Sequence, residues 1–405
     1  DGAAAGPAKF GQQHNMTIDA RAREAVKAMA TLTYKPGKPI EDVQQEFGLT
    51  SVIKLASNEN ALGPSPKALA ALRKEAGQAH RYPDATCRDL KRKLAARLKV
   101  GVEQLLIGNG SDELLVLALR AFVDPGDEVI VAEPTFLIYA LQARAGGATV
   151  VSVPLTNLRY DLAKMRAAVT ADTKLVFIAN PDNPTGTYVT RRELEAFLHG
   201  LPDQVIVLMD EAYYEFVQAK DYPQSVRWLA RAPVIVTRSF SKAYGLAGLR
   251  VGYGIARPSL IAAMDAVREP FNVNRLAQTA ACAALDDHAF LQRTRRMIRQ
   301  GRAFLSGELA QLGLRVVPSV ANFVLVELGP TASQAAQALL RRGVIVREMS
   351  AWKLDGFLRV TIGTMPENRR FIHALRLVLG SRLKVQGSPR TSNLEHRTVH
   401  KRRNG

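Results

Sequence analysis

The chain has 405 residues, of which 47% are hydrophobic and 23% are charged, and its formal net charge is +18. A chain of this size is expected to bury a sizeable core in two structural domains, which excludes a small binding module. The basic charge would attract nucleic acid, but it is scattered, and no helix-turn-helix extension or aromatic single-strand platform is recognisable. We therefore expect no nucleic-acid partner.

The sequence also lacks the patterns of membrane proteins and metalloproteins. No apolar run is long enough to span a bilayer, so no membrane association is expected. Cys87 and Cys282 are far apart and the seven histidines are dispersed, so we expect no metal site. Two thiols without a disulfide framework predict a cytoplasmic location.

A phosphate-binding turn is predicted where an apolar run meets a helix. The run LLI at 105–107 is followed by GNGSDE, in which Gly110 permits a tight turn. Ser111 and Asp112 then open the apolar helical stretch LLVLALRAF. The free N–H groups and the dipole of a helix N-terminus favour an anion. Gly110, Ser111 and Asp112 are therefore candidate phosphate ligands.

Two more polar turns follow apolar runs further along the chain. EPTF comes after the run VIVA and provides Phe136, whose ring can stack on a flat ligand. NPTG comes after LVFIA at 175–179 and begins with Asn183, an amide donor. Phe136 by itself is more typical of a core residue.

The next two runs end in a carboxylate and a lysine. VIVLM at 205–209 is followed by Asp210, and Tyr213 comes three residues later. Open α/β sheets present their ligand-binding groups at the carboxyl ends of the strands. The segment SFSKAYGLAGLR at 239–250 places Lys242 after two serines and before an arginine. The same segment provides Ser239, Ser241 and Arg250, which are further candidates for binding a phosphate.

Together these residue types indicate pyridoxal phosphate. That cofactor needs an amine for its aldehyde, a carboxylate for its pyridine nitrogen, donors for its phenolate oxygen and a cradle for its phosphate. Lys242 supplies the amine and Asp210 the carboxylate, while Asn183 and Tyr213 are the donors. The displaced Lys242 amine can then carry a proton between the substrate's Cα and the cofactor, which is the proton shift of transamination.

Each feature also has a purely structural interpretation. A Gly-Asn-Gly-Ser sequence is more typical of an ordinary turn, Asp210 can cap a helix, and an isolated Ser-Lys pair is usually exposed. Their shared position after successive apolar runs favours one common site.

Four further segments carry a family resemblance. They are SNENALGPSP at 57–66, HRYPD at 80–84, VIVREMSAW at 344–352 and LRVTIGT at 358–364. With the cofactor motifs, they resemble the fold-type I pyridoxal-phosphate aminotransferases, and they look like the histidinol-phosphate aminotransferase branch. The resemblance covers roughly residues 28 to 380.

The resemblance implies a homodimer and additional site residues. Tyr82 matches a tyrosine that reaches the partner subunit's cofactor phosphate, and Arg347 and Arg359 match arginines that hold the substrate's anionic end. Tyr34 matches a substrate-side tyrosine, and Asn183 faces the substrate as well as the cofactor. The implied substrates are histidinol phosphate, glutamate and 2-oxoglutarate, in histidine biosynthesis. The family usually has proline where this chain has Thr33, and commonly tyrosine in place of Phe136.

The expected fold class is α/β, with a mainly parallel seven-stranded sheet, since apolar runs alternate with helical stretches between residues 105 and 256. The large cofactor-binding domain is predicted at 58–289, and a smaller α+β domain at 28–57 plus 290–385. A flexible extension is expected at 1–27 and a disordered basic tail at 386–405.

Other functions fit much of the same pattern. An aromatic or broad-range aminotransferase and a threonine-phosphate decarboxylase differ only in details of the pocket. A non-catalytic basic interaction protein would retain the scaffold, but the intact set of Lys242, Asp210, Asn183 and Tyr213 argues against it.

Overall fold

The computed structural model describes residue 19, residues 21–27 and residues 37–386. Tyr34 lies outside the described residues, as does most of the predicted N-terminal extension. The tail predicted at 386–405 also lies outside them, apart from Gln386.

Helices and strands alternate along most of the described chain. The helices are α1 (Glu24–Lys27), α2 (Ile40–Phe47), α3 (Pro66–Glu75), α4 (Arg88–Leu98), α5 (Ser111–Phe122), α6 (Ile138–Gly146), α7 (Leu162–Ala167), α8 (Arg191–Leu198), α9 (Pro258–Ala266), α10 (Arg275–Leu285), α11 (His288–Gln311), α12 (Ala332–Leu340) and α13 (Met365–Gln386). The strands are β1 (Ile53–Leu55), β2 (Leu105–Gly108), β3 (Glu128–Glu133), β4 (Thr149–Pro154), β5 (Thr173–Ala179), β6 (Ile206–Asp210), β7 (Val234–Ser239), β8 (Gly252–Ile255), β9 (Arg315–Val317), β10 (Phe323–Glu327), β11 (Val344–Glu348) and β12 (Phe357–Thr361). Short 3₁₀ helices include Tyr214–Phe216, Ala247–Leu249 and Ser350–Trp352.

The larger sheet has seven strands in the order β2-β8-β7-β6-β5-β3-β4. Strand β8 is antiparallel to both of its neighbours, and the other pairs are parallel. Its central strands are apolar runs that are buried along nearly their whole length, as parallel strands covered on both faces require. The predicted mainly parallel seven-stranded sheet is confirmed.

Parallel pairing brings the ends of three neighbouring strands together. Strand β5 ends at Ala179, β6 at Asp210 and β7 at Ser239. The backbone holds this edge in register, since Asn180 N–H donates to the Asp210 carbonyl at 2.8 Å and Glu211 N–H donates to the Thr237 carbonyl at 2.8 Å. The polar residues that follow each strand therefore converge on one edge of the sheet.

The smaller sheet has five strands in the order β1-β11-β12-β10-β9. Strand β1 is parallel to β11, and the other three pairs are antiparallel. Arg347 on β11 lies directly opposite Arg359 on β12. Sequence analysis did not predict β1, because three residues of IKL carry too little alternation to identify a strand.

One hydrophobic cluster contains residues from both sheets, for example Leu208 on β6 and Phe323 on β10. The long helix α11 packs against α13, β9 and β10, and also contacts the 3₁₀ turn at Tyr214–Phe216 beside the larger sheet. No helix in the described part of the chain is long and apolar enough to cross a membrane.

Candidate active site

A cavity of about 330 Å³ lies at the carboxyl ends of β5, β6 and β7. It brings together residues whose positions in the sequence are up to 302 apart, from Ser57 to Arg359. The predicted site residues that line it are Ser111, Asp112, Phe136, Asn183, Asp210, Tyr213, Ser239, Ser241, Lys242, Arg250 and Arg359.

Asp210 is a buried carboxylate whose hydrogen-bond partners are neutral donors. One oxygen accepts from the Tyr139 hydroxyl at 2.7 Å, and the other accepts from the Ala212 N–H at 3.1 Å and from the Thr237 hydroxyl at 3.4 Å. Burial raises the pKa of Asp210 to about 6, against the lowering effect of the Tyr139 hydrogen bond. A cationic ligand group at this carboxylate would therefore be strongly favoured.

Lys242 lies on the loop after β7, with a partly buried side chain. Burial lowers the pKa of its amine, and the nearby positive charge of Arg359 lowers it further. The Nζ atom lies 5.7 Å from the centre of the Tyr213 ring. A shift in this direction favours the neutral, nucleophilic form of the amine.

The predicted phosphate cradle forms at the N-terminus of α5. Arg250 lies over that terminus and forms an ion pair of 3.2 Å with Asp112. It also approaches the Ser241 hydroxyl at 3.4 Å, and Ser241 N–H donates to Ser239 Oγ at 3.0 Å. Helix N–H groups, two hydroxyls and a guanidinium thus face one small volume, as a phosphate requires.

Two glycines allow the parts of this phosphate cradle to pack closely together. Gly110 has a φ of +82°, and a Cβ there would lie 2.5 Å from an Arg250 nitrogen. A Cβ on Gly252 would lie 2.6 Å from the Ser111 backbone nitrogen. Gly110 was predicted to be part of this turn, but Gly252 was not, because its role depends on β8 lying against α5.

Arg359 and Asn183 both line the cavity and form one hydrogen-bonded unit. A guanidinium nitrogen of Arg359 donates to Asn183 Oδ1, and another donates to the Ala56 carbonyl at 2.7 Å. Arg359 is only 5% exposed, and its guanidinium lies 5.4 Å from the centre of the Phe323 ring. The side chain is therefore held in place before any anion binds.

Two aromatic side chains face the cavity beside these polar groups. Tyr213 packs edge-on against Phe323, with ring centres 5.3 Å apart, and burial raises its pKa to about 12. Phe136 packs edge-on against Tyr139, with ring centres 5.5 Å apart.

The predicted residues Arg347 and Tyr82 lie away from this cavity in the single chain. Arg347 lines an adjoining cavity, with its guanidinium 4.9 Å from the centre of the Trp352 ring, and both Trp352 and Phe136 line the two cavities. Tyr82 is 78% exposed and stacks on Phe271, with ring centres 4.7 Å apart.

Besides Gly252, sequence analysis missed three residues of the site: Tyr139, Trp352 and Asn58. Tyr139 donates to Asp210, and Asn58 donates to the Tyr213 hydroxyl at 3.0 Å. The centre of the Trp352 ring lies 4.9 Å from the guanidinium of Arg347 and 5.9 Å from that of Arg359. Tyr139 lies in the first turn of α6, and no pattern in the sequence indicates its contact with Asp210. The described residues contain no group of three or more His, Cys, Asp or Glu side chains placed to hold a metal ion.

The residues present fit pyridoxal phosphate. Among the described residues, the hydrogen-bond donors to the buried carboxylate of Asp210 are neutral groups. The same cavity contains a helix N-terminus with Arg250 for a dianion, and the amine of Lys242. The glycine cradle would be filled by any side chain at Gly110 or Gly252. This donor set matches the cofactor's nitrogen, phosphate and aldehyde.

Comparisons with known proteins agree with this assignment. The family model for class I and II aminotransferases matches residues 50–375. A histidinol-phosphate aminotransferase of Moorella thermoacetica is 48% identical over 371 residues, which cover 91% of this chain and 96% of that protein. A second histidinol-phosphate aminotransferase, of Nitrosococcus oceani, is 48% identical over 347 residues, which cover 85% of this chain and 94% of that protein.

Among solved structures, the histidinol-phosphate aminotransferase of Sinorhizobium meliloti in complex with pyridoxal-5'-phosphate is similar, with a TM-score of 0.82 and 31% identity. The match covers 91% of this chain and 100% of that one. The fold-type I architecture predicted from the sequence is thus confirmed. The chain belongs to the class I and II aminotransferase family, in which the relatives described above are histidinol-phosphate aminotransferases.

Proposed function

We propose that this chain catalyses pyridoxal-phosphate-dependent amino-group transfer from histidinol phosphate to 2-oxoglutarate, a step of histidine biosynthesis. The observation that carries the proposal is that Lys242, Asp210 and Arg359 line one cavity. The 48% identity to histidinol-phosphate aminotransferases supports this substrate over an aromatic amino acid or a decarboxylation.

When bound, the cofactor supplies a sink for the electrons released at the substrate's Cα. Asp210 would hold the proton on its ring nitrogen, and Asn183 and Tyr213 would donate to its phenolate oxygen. Phe136 would cover one face of the ring. Its phosphate would be held by Gly110, Ser111, Asp112, Ser239, Ser241 and Arg250, and Lys242 would hold its aldehyde.

Lys242 would also move the proton. Its amine is released when the substrate's amino group takes its place, and burial lowers the pKa of that amine, which favours its neutral form. The neutral Nζ can accept the Cα proton and donate it one bond away, as a general base and then a general acid. Tyr213 would keep its own proton throughout, since its pKa is about 12.

Arg359 would bind the anionic groups of both substrates in turn. Its planar fork pairs with carboxylate and with phosphate. Arg347, which lines the adjoining cavity, would take the more distant anion, and Tyr34 would face the imidazole of histidinol phosphate.

We further infer a cytoplasmic homodimer, in which Tyr82 reaches the partner subunit's cofactor phosphate. An exposed aromatic pair of Tyr82 and Phe271, which are 78% and 42% exposed, supports an interface at this surface. The free thiols of Cys87 and Cys282 fit a reducing compartment.

A substrate panel tests the proposal directly. We expect the highest kcat/KM for histidinol phosphate, with 2-oxoglutarate as acceptor and no release of carbon dioxide. Histidinol, phenylalanine and tyrosine are the matched comparisons. If phenylalanine is the best donor, or if removal of the substrate's phosphate makes no difference, the enzyme is an aromatic or broad-range aminotransferase instead.

A further inference from the structure

The segment SNEN at 57–60 contributes an asparagine that touches three separate parts of the site. Asn58 is 2% exposed and has a φ of +56°, a left-handed conformation that asparagine adopts more readily than most residues. Its backbone N–H donates to Thr361 Oγ1 at 2.9 Å, and its carbonyl accepts from Asn322 at 3.0 Å. Asn58 is thereby fixed to β12, the strand that carries Arg359.

The hydroxyl of Thr361 determines which way the Asn58 amide faces. Thr361 Oγ1 already accepts from the Asn58 N–H, so its own hydrogen is free to be donated to Asn58 Oδ1, at 3.0 Å. The amide oxygen therefore faces Thr361, and the amide nitrogen faces the Tyr213 hydroxyl at 3.0 Å. An amide nitrogen is only a donor, so the Tyr213 oxygen accepts this bond.

The consequence is a direction for the hydrogen of Tyr213. Because its oxygen receives the Asn58 donor, the O–H bond points away from Asn58, toward the cavity that both residues line. We propose that Asn58 is a positioning residue, oriented by Thr361, that aims the Tyr213 hydroxyl at the phenolate oxygen of the bound cofactor. This inference rests on the proposed function.

The surroundings of Tyr213 leave that hydroxyl protonated and able to donate. Burial raises its pKa to about 12, Arg359 and the Asn58 hydrogen bond lower it, and Asp210 and Asp182 raise it. The Lys242 Nζ atom lies 5.7 Å from the centre of the Tyr213 ring. A neutral hydroxyl has one hydrogen to donate, so its direction decides whether the cofactor receives it.

The test is a pH titration of the bound cofactor's visible absorption band. A hydrogen bond donated to the phenolate oxygen stabilises the negative charge of that oxygen. The oxygen then holds less tightly the proton on the Lys242 nitrogen that is joined to the cofactor, so the pH midpoint of the titration falls. Tyr213→Phe should therefore raise the midpoint by about one pH unit, the size expected from a hydrogen bond to a charged group. Glycine tolerates the positive φ of Asn58 and adds no charge, so Asn58→Gly should raise the pH midpoint by only part of the shift seen in Tyr213→Phe.

The two substitutions together show whether Asn58 acts through Tyr213. Asn58→Gly should produce no further shift in a Tyr213→Phe background. Thr361→Val, which releases the amide from its fixed orientation, should shift the midpoint in the same direction as Asn58→Gly. Thr361→Ser keeps the hydroxyl and should titrate like the parent enzyme, and these two variants serve if Asn58→Gly does not fold.

Two results would overturn the proposal while leaving the proposed function intact. One is a midpoint that neither Asn58→Gly nor Thr361→Val changes. The other is a shift caused by Asn58→Gly that is equally large in the parent enzyme and in the Tyr213→Phe background. A midpoint that Tyr213→Phe itself does not move would instead contradict the role assigned to Tyr213, and the proposal for Asn58 would fall with it.

Discussion

The substitution Asp210→Asn should stabilise the cofactor-free protein while it slows catalysis. Burial raises the pKa of Asp210 from 3.8 to about 6. A carboxyl group with a raised pKa binds its proton more tightly in the folded state, so the free energy of unfolding falls as the pH rises from about 4 to 6. At about 1.4 kcal/mol per pKa unit, the ionised carboxylate costs about 3 kcal/mol at pH 7 and above.

The structure can accept the asparagine with little change. Its amide oxygen can take the bonds from Ala212 N–H and the Thr237 hydroxyl. Its amide nitrogen then faces the Tyr139 hydroxyl, whose oxygen can accept in place of donating. The variant therefore avoids the ionisation cost, but the hydrogen of the buried Tyr139 hydroxyl loses its acceptor, so the net gain should be smaller than the full ionisation cost.

Urea unfolding of the cofactor-free parent and variant, followed between pH 4 and pH 8, measures the effect. The variant's advantage should be small near pH 4, grow up to pH 6 and then level off. Asp172→Asn, at an exposed position, is the matched control for loss of a carboxylate. An advantage that does not change with pH would refute the argument from burial.

The same substitution should lower kcat by about 10²–10³-fold, the usual effect of removing one preorganised electrostatic group. The asparagine amide has no charge with which to hold a proton on the cofactor's ring nitrogen. If the variant binds the cofactor normally and turns over at the parent's rate, another group performs this role.

Three further predictions concern the lysine, the dimer and the substrate arginine. Lys242→Ala should abolish transamination, and borohydride reduction of the parent followed by peptide mapping should place the cofactor on Lys242; a label on another lysine contradicts the assignment. Mixed dimers of Lys242→Ala and Tyr82→Ala chains should regain activity, because one of their two sites has both residues intact, and a lack of recovery would exclude a shared site. Arg359→Ala should lower kcat/KM for both histidinol phosphate and glutamate by about 10–100-fold, since hydrogen bonds to charged groups contribute about 1.5–3 kcal/mol, with Arg359→Lys as the control. An effect on only one substrate would show that the two anions bind at different places.

The residues that could be predicted from the sequence are those that follow an apolar strand. Asp210 and Asn183 come directly after such runs or within a few residues of them, and parallel strands bring their carboxyl ends to the same edge. The turn before α5 could be predicted for the same reason. In each case a local pattern and one rule of sheet topology were enough.

The residues that could not be predicted depend on contacts between distant segments. Asn58 meets Tyr213 across 155 positions, and Thr361 meets Asn58 across 303. No periodicity in the sequence records such a pairing. Tyr139 is fully buried in α6 and stacks on Phe177 at 4.7 Å, so it has the pattern of a core residue, and only its hydroxyl reveals a second role.

Arg347 and Arg359 are neighbours in the smaller sheet, but their side chains line different cavities. It is paired with Arg359 across β11 and β12, and both guanidiniums lie near Trp352, at 4.9 and 5.9 Å from its ring centre. Arg359 faces the cavity with Asp210, whereas Arg347 lines the adjoining one. A substrate with a single anionic group would therefore reach Arg359, and a substrate with two separated groups is needed to engage both.

Burial has opposite effects on the pKa values of the acid and the base in this cavity, and both effects favour the neutral forms. It raises the pKa of Asp210 and lowers that of Lys242, because each charged form loses contact with water. A ligand with a cationic ring nitrogen reverses the first effect by pairing with the carboxylate, while an aldehyde reacts with the neutral amine that the second effect provides. The same low-polarity environment therefore selects both ends of pyridoxal phosphate, and this is why the cavity is better explained by that cofactor than by a simple anion.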